Sequence, residues 1–140
     1  MYDALEIAKY IIDKCYRDGE PITNLRLQKL LYFIQGMYCA IRGNFIVRED
    51  FWAWKYGPVI PEIYFEYCGY IGNPIRVKYE DIDIDIDDAI FIDRVINRLK
   101  QYSDSELVDL SHAEDGPWYI HKTNRSIIKK SEIRKYFEGL

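Results

Sequence analysis

Residues 22–38 read ITNLRLQKLLYFIQGMY, and the fold turns on how that run is read. Leu27, Leu30, Leu31, Ile34, Met37, Tyr38 and Ile41 recur at three- and four-residue steps, which predicts a helix from about Asn24 to Arg42. Thr23 or Asn24 supplies its start, because an oxygen-bearing side chain there accepts the orphan N–H groups of the first turn. Gly43 is its natural stop. Gly36 sits inside it at a cost of about 1 kcal/mol against alanine, which points to a close helix crossing at that position. The same run also fits a recognition helix, with Arg26, Gln28 and Lys29 facing a nucleic-acid groove. Few basic groups flank it and the chain is acidic overall, so a packed core helix is the preferred reading.

Upstream, Ala4, Ala8, Ile11 and Cys15, widened by Leu5, Ile7 and Ile12, predict a helix over 3–17 that Gly19 and Pro21 end. Downstream the period changes. NFIVREDFWAWKYG is rich in β-branched and aromatic residues and predicts a short hairpin or extended segment near residues 45–56. On it, Trp52, Trp54 and Tyr56 share one face, and Phe51, Ala53 and Lys55 the other. Gly57 permits unusual backbone angles, Pro58 fixes φ, and Pro61 fits the first position of a third helix. Glu62 suits the positive end of that helix.

Residues 80–88, EDIDIDIDD, invite a calcium-loop reading that fails. With Asp81 as position 1, positions 6 and 12 are Ile86 and Ile92; with Asp83 they are Asp88 and Arg94, where glycine and glutamate are needed. The alternation suits an edge segment with isoleucines inward and aspartates in water. A fourth helix is predicted over 89–102, capped by Asp88, with Ile92, Val95, Ile96 and Leu99 as its stripe. Ser103 with Glu106 makes a capping box for a fifth over 104–112. Ser131 caps a last short one through Phe137. The expected fold class is mostly α: a single compact helical domain, 1–140, of five or six helices with the short β-hairpin.

The bulk numbers agree with a soluble globular chain: 49% apolar, 30% charged and 16% aromatic residues, 13 of them tyrosine. No run approaches the ~18 uncharged apolar residues of a membrane span. The N-terminus carries acids before its apolar positions, so no secretory signal is expected and the cytoplasm is the expected location. Cys15, Cys39 and Cys68 lie far apart in apolar helical patterns and are expected as buried free thiols of a reducing cytosol. Net charge is −4 but uneven: residues 71–120 hold 12 acidic and 5 basic groups, and residues 121–140 hold 6 basic and 2 acidic. That is not the charge footprint of a nucleic-acid binder.

The common sequence signatures of catalysis are missing. There is no glycine-rich phosphate loop, HExxH, CxxC or G-x-S-x-G elbow. His112 with Glu114 and Asp115 can be drawn as a base and its orienter, but no nucleophile or metal set accompanies them. LSHAEDGPW, residues 110–118, is better read as a helix end followed by a turn at Gly116–Pro117 that seats Trp118. No catalytic residue, cofactor or metal is expected.

ITNLRLQKLLYFIQGMY, then WAWKYGPVIPEIY at 52–64, then LSHAEDGPW together resemble the Panacea domain family, the SocA-like antitoxins and phage-associated GepA-like proteins. The likeness runs over about 2–138. It makes Leu27, Gln28, Leu30, Leu31, Gly57, Pro61, His112, Pro117 and Trp118 signature positions. It implies a non-enzymatic antitoxin that binds a cognate toxin encoded by an adjacent gene. It also implies a possible partner protease, since at least one family member delivers its toxin to one. An extra DNA-binding or targeting segment, present in some relatives, is not expected here. The aromatic stretch adds a candidate partner-binding edge of Trp52, Trp54, Tyr56, Pro58, Glu62 and Tyr64, because aromatics are favoured interface anchors. The alternative is a transcription regulator of a phage or mobile element that reads DNA with the helix 24–42.

Overall fold

In a computed structural model describing residues 1–140, the long helix of the opening run lies at the centre of the molecule. It is α2, Asn24–Arg42, and thirteen of its residues are buried, on nearly every side. Thr23 Oγ1 accepts from the Arg26 N–H at 3.1 Å, and Gly43, at φ 82°, closes the other end through its N–H to the Cys39 carbonyl. Around it pack α1 (Ala4–Arg17), α3 (Pro61–Tyr67), α4 (Ile86–Leu99), α5 (Asp104–Ser111) and α7 (Lys130–Glu138), with α6 (Pro117–His121) beside the sheet. The architecture is mostly α, with seven helices, one or two more than expected; α3 forms behind Pro61 as expected, and the unforeseen helix is the short α6, which forms behind Pro117. A single hydrophobic cluster of 32 buried residues runs through these elements.

The sheet has three short antiparallel strands in the order β2-β1-β3. They are β1 (Phe51–Trp54), β2 (Gly57–Val59) and β3 (Ile127–Ile128). Trp54 pairs with Gly57 and Ala53 with Pro58, so the hairpin turns at Lys55–Tyr56. This shifts the expected hairpin later: residues 45–50 contribute no strand, and Gly57–Pro58 is paired strand rather than a corner. Proline is tolerated there because β2 is an edge strand. The face assignment holds for Phe51 and Ala53, which are buried, and for Trp52, which is exposed; Lys55 and Tyr56 are both exposed in the turn and belong to neither face.

Buried polar side chains of α2 fix the chain that follows it. Gln35 Oε1 accepts from the Ile46 and Val47 N–H groups, and its amide donates to the Val47 carbonyl. Gln28 Oε1 accepts from the Ile60 N–H at 2.9 Å. Lys29 Nζ donates to the Pro58 carbonyl at 2.7 Å. Buried backbone groups without a sheet partner need one, and three α2 side chains supply it at both flanks of the hairpin.

Gly36 faces α7, where Phe137 occupies the space a Cβ would take. The expected close crossing is therefore the α2–α7 contact. Other expectations need correction: Cys15 and Cys39 are buried, but Cys68 is exposed, because it lies in the turn just past the end of α3. Ile41, placed on the buried face, is exposed, and Met37 is half-buried, because α2 runs past the core at its C-terminal turn. Residues 80–85 form no strand, although Ile82 and Ile84 are half-buried between exposed aspartates. α4 starts at Ile86, not 89, with Asp85 at its cap position. Asp88 sits buried in the first turn, accepting from Tyr2 at 2.7 Å and Tyr38 at 2.8 Å. Ser131 lies inside α7, whose first turn is closed by Glu132 accepting from the Lys129 N–H. No helix is long and apolar enough to cross a membrane.

Candidate functional site: a buried lysine frame and an aromatic groove

Two features meet at the hairpin, one inside it and one outside. The inner one is a polar frame around Lys29. This side chain is fully buried. Burial pushes its amine down to about 7, because a low-dielectric core disfavours the charged form. Gly57, at φ 115°, lies against it: a Cβ there would stand 2.7 Å from Ser111 Oγ and 2.8 Å from Lys29 Nζ. Glycine is required both for the angle and for the space. Ser111 Oγ donates to the Val108 carbonyl, closing the last turn of α5. His112 follows and stacks flat on Trp118, with ring centroids 3.6 Å apart. Its Nε2 is buried without a partner, and burial, helped by the Lys29 charge, holds the ring below the usual histidine range. Trp118 Nε1 donates to the Trp54 carbonyl at 2.7 Å, tying α6 to the hairpin.

The outer feature is a groove of about 620 Å³ between the hairpin and α3. Trp54, Tyr56 and Tyr64 form its walls, with Val59 and Tyr67 deeper and Ile71 at its lip. Trp54 meets Tyr64 edge-to-face at 5.3 Å and Phe65 at 6.2 Å. Tyr56, Phe65 and Ile71 are 58%, 64% and 84% exposed. Clustered apolar area of this kind marks interaction sites, unlike scattered surface residues. Two cations line the groove, Lys55 and Arg125, and no carboxylate does.

A family model described as "Antitoxin SocA-like, Panacea domain" matches residues 27–119. The chain belongs to this SocA-like Panacea family. It is similar to Antitoxin SocA of Caulobacter vibrioides (strain NA1000 / CB15N), at 39% identity over 134 residues that cover 84% of this chain and 69% of that protein. No solved structure matches.

The matched span takes in the whole frame of this Panacea domain. Gly57, His112 and Trp118 come from distant parts of the sequence and meet around Lys29 and the hairpin, while Gln28 holds the Ile60 N–H and Pro117 starts α6. Leu27, Leu30 and Leu31 fill the adjoining core, and Pro61 starts α3. His112 is a packing and capping residue, as the helix-end reading expects. Of the candidate partner edge, Trp54, Tyr56 and Tyr64 line the groove. Trp52 stands on the exposed face of the sheet opposite Ile127, and Glu62 is exposed at the start of α3. Pro58 is the exception: it is buried and its carbonyl is taken by Lys29, so it belongs to the frame.

The recognition-helix alternative loses its side chains. Arg26 donates to the Leu99 and Tyr102 carbonyls and pairs with Asp104 at 2.9 Å, while Gln28 and Lys29 point into the core. Sequence reasoning missed Lys29 as a core residue. The signal was available: after Gln28 and Lys29 the run from Leu30 to Ile34 is unbroken apolar, and Leu27 precedes them, so the lysine has no broad polar face to occupy. It also missed His121, whose ring bridges Ser126 Oγ at 2.8 Å and the Glu132 carboxylate, clamping the 121–126 turn to α7.

Proposed function

We propose that this Panacea domain is an antitoxin that neutralises the product of an adjacent gene by direct, non-enzymatic binding, and that the aromatic edge of the hairpin and α3 makes the contact. One observation carries the reading. Trp54, Tyr64 and Phe65 are packed edge-to-face on the outside of a rigid frame, leaving large aromatic area in water. Tryptophan and tyrosine held in fixed orientation lose little entropy on binding and dominate interface energetics. The family membership supports the antitoxin role, and the edge supplies it with a surface. Masking of the toxin is sufficient for this reading, and delivery to a protease is a further step that the same contact allows.

The test is co-expression. Each adjacent gene is induced with and without this chain and growth is followed. One neighbour is expected to arrest growth and this chain to restore it, and the two proteins to co-purify. Trp54→Ala is expected to weaken that complex by about 30-fold, the range of an interface hot spot, with the circular dichroism spectrum unchanged. A rescuing chain whose affinity ignores Trp54→Ala moves the contact elsewhere on the molecule.

A further inference from the structure

The groove beside the aromatic edge has a chemistry of its own. This chain is acidic, at net −4, yet Lys55 and Arg125 line the groove without a carboxylate among the lining residues. The acids of α3, Glu62 and Glu66, are exposed outside that lining. Lys55 Nζ rests 5.3 Å from the centre of the Tyr56 ring. The Arg125 side chain makes no hydrogen bond or ion pair.

The backbone singles out the same place. Only Ile71, Asp81 and Arg125 among non-glycine residues have positive φ, at 52°, 55° and 51°. Two of the three, Ile71 and Arg125, line this groove. A β-branched residue in the left-handed region is a true outlier, and Ile71 holds it while leaving its side chain in water. Such conformations cluster where a ligand is clamped. Both angles end a helical turn, Ile71 through its N–H to the Cys68 carbonyl and Arg125 through its N–H to the His121 carbonyl, and they set the exposed isoleucine and the unpaired arginine at the groove.

We infer that the groove takes an acidic-apolar peptide segment of the toxin: an aromatic or aliphatic side chain seats between Trp54, Tyr64 and Ile71, and flanking carboxylates pair with Lys55 and Arg125. This rests on the antitoxin reading above and adds the chemistry of the occupant. The volume is that of a specific ligand site, but the aromatic surface continues beyond it to Phe65 and Trp52, which suits a polymer segment rather than a small molecule. Arginine pairs with a carboxylate through two parallel hydrogen bonds, which fixes the segment's register. A single-stranded nucleic acid also matches aromatics with cations, but two cations on a net-acidic chain give it little of the backbone charge it needs.

The experiment uses the toxin identified by co-expression and the full chain carrying Lys55→Glu and Arg125→Glu, both exposed positions. Binding is measured by interferometry at two salt concentrations, alongside synthetic peptides tiling the toxin and a short labelled single strand of DNA. The wild type is expected to bind one acidic-apolar peptide, and the double variant to lose on the order of 30-fold or more for both that peptide and the whole toxin. The same peptide with its carboxylates changed to lysine is expected to recover binding to the variant. Arg125→Gly, which relieves the strained angle, is expected to raise the melting temperature while weakening capture. Equal affinity of wild type and double variant for the toxin overturns the groove and leaves the antitoxin standing. DNA binding that the double variant abolishes, with toxin binding intact, overturns the peptide occupant. A chain that rescues growth from no neighbour sinks the antitoxin reading and this occupant with it.

Discussion

Lys29 is the residue at which this sequence departs furthest from ordinary burial. An ammonium in a core is expensive unless paired, and here a single carbonyl faces it. In the unfolded chain such an amine keeps its proton to about pH 10.4. In the fold it gives the proton up near 7. Between those values the unfolded chain binds more protons, so stability rises with pH, on the order of 1 kcal/mol per unit. Below 7 both states are protonated and the cost of the buried charge is fully present. His112 acts in the same direction lower down. Its folded value is depressed, so stability falls further as pH drops from about 6.5 toward that value. Urea midpoints at pH 6, 7, 8 and 9 are expected to climb for the wild type from pH 7 upward, and to stay flat over 7–9 for Lys29→Met. The slope is the readout, because the methionine also strands the Pro58 carbonyl at a cost of about 1–3 kcal/mol. A wild type with no slope means that water reaches the amine.

At the level of elements, the α2–α7 crossing depends on Gly36. A methyl group there meets the Phe137 ring, which is itself locked edge-to-face with Tyr32 at 5.4 Å. Overpacking of this kind costs about 1–3 kcal/mol. The helix-propensity gain of about 1 kcal/mol offsets part of it. Gly36→Ala is expected to be destabilising on balance, and Phe137→Leu to recover part of the loss in the double variant, so thermal unfolding of the four proteins closes a cycle with favourable coupling. Additive losses would place the crossing's tolerance somewhere other than this ring. Elements with a long apolar stripe and a chemical cap were legible in the sequence, as α1, α2 and the Ser103–Glu106 box of α5 show. β3 was not, because two residues carry no period. The hairpin slid because Gly57–Pro58 resembles a corner until β1 supplies its partner strand. Asp88 was read as a cap because capping is a local property, whereas its two tyrosine donors come from residues far away in the sequence.

On the scale of the whole molecule, the three stretches that resemble the family are far apart in sequence, and folding brings them to Lys29, whose amine holds the Pro58 carbonyl with Gly57 and Ser111 beside it. The candidate edge was legible as an aromatic excess, whereas the two cations of the groove were not, since Lys55 and Arg125 are 70 positions apart. The uneven charge has a consequence at this scale too. Asp81, Asp83, Asp85 and Asp87 are exposed on the approach to α4 and in its first turn, so they form a stripe of like sign that meets water. Charges outside a contact steer encounter and leave the docked complex nearly untouched. Range separates the two effects: contact pairs in the groove act within hydrogen-bond distance, and the stripe acts out to a Debye length of about 8 Å at physiological salt. A toxin of net positive charge is therefore expected to associate more slowly with the chain carrying all four aspartates as asparagine. The expected drop is roughly threefold to tenfold at low salt, disappearing in high salt, with the dissociation rate unchanged. Stopped-flow mixing across a salt series measures both rates. Loss of the complex through faster dissociation instead would put the stripe inside the interface, and identical association rates would leave it only the task of keeping an open segment soluble.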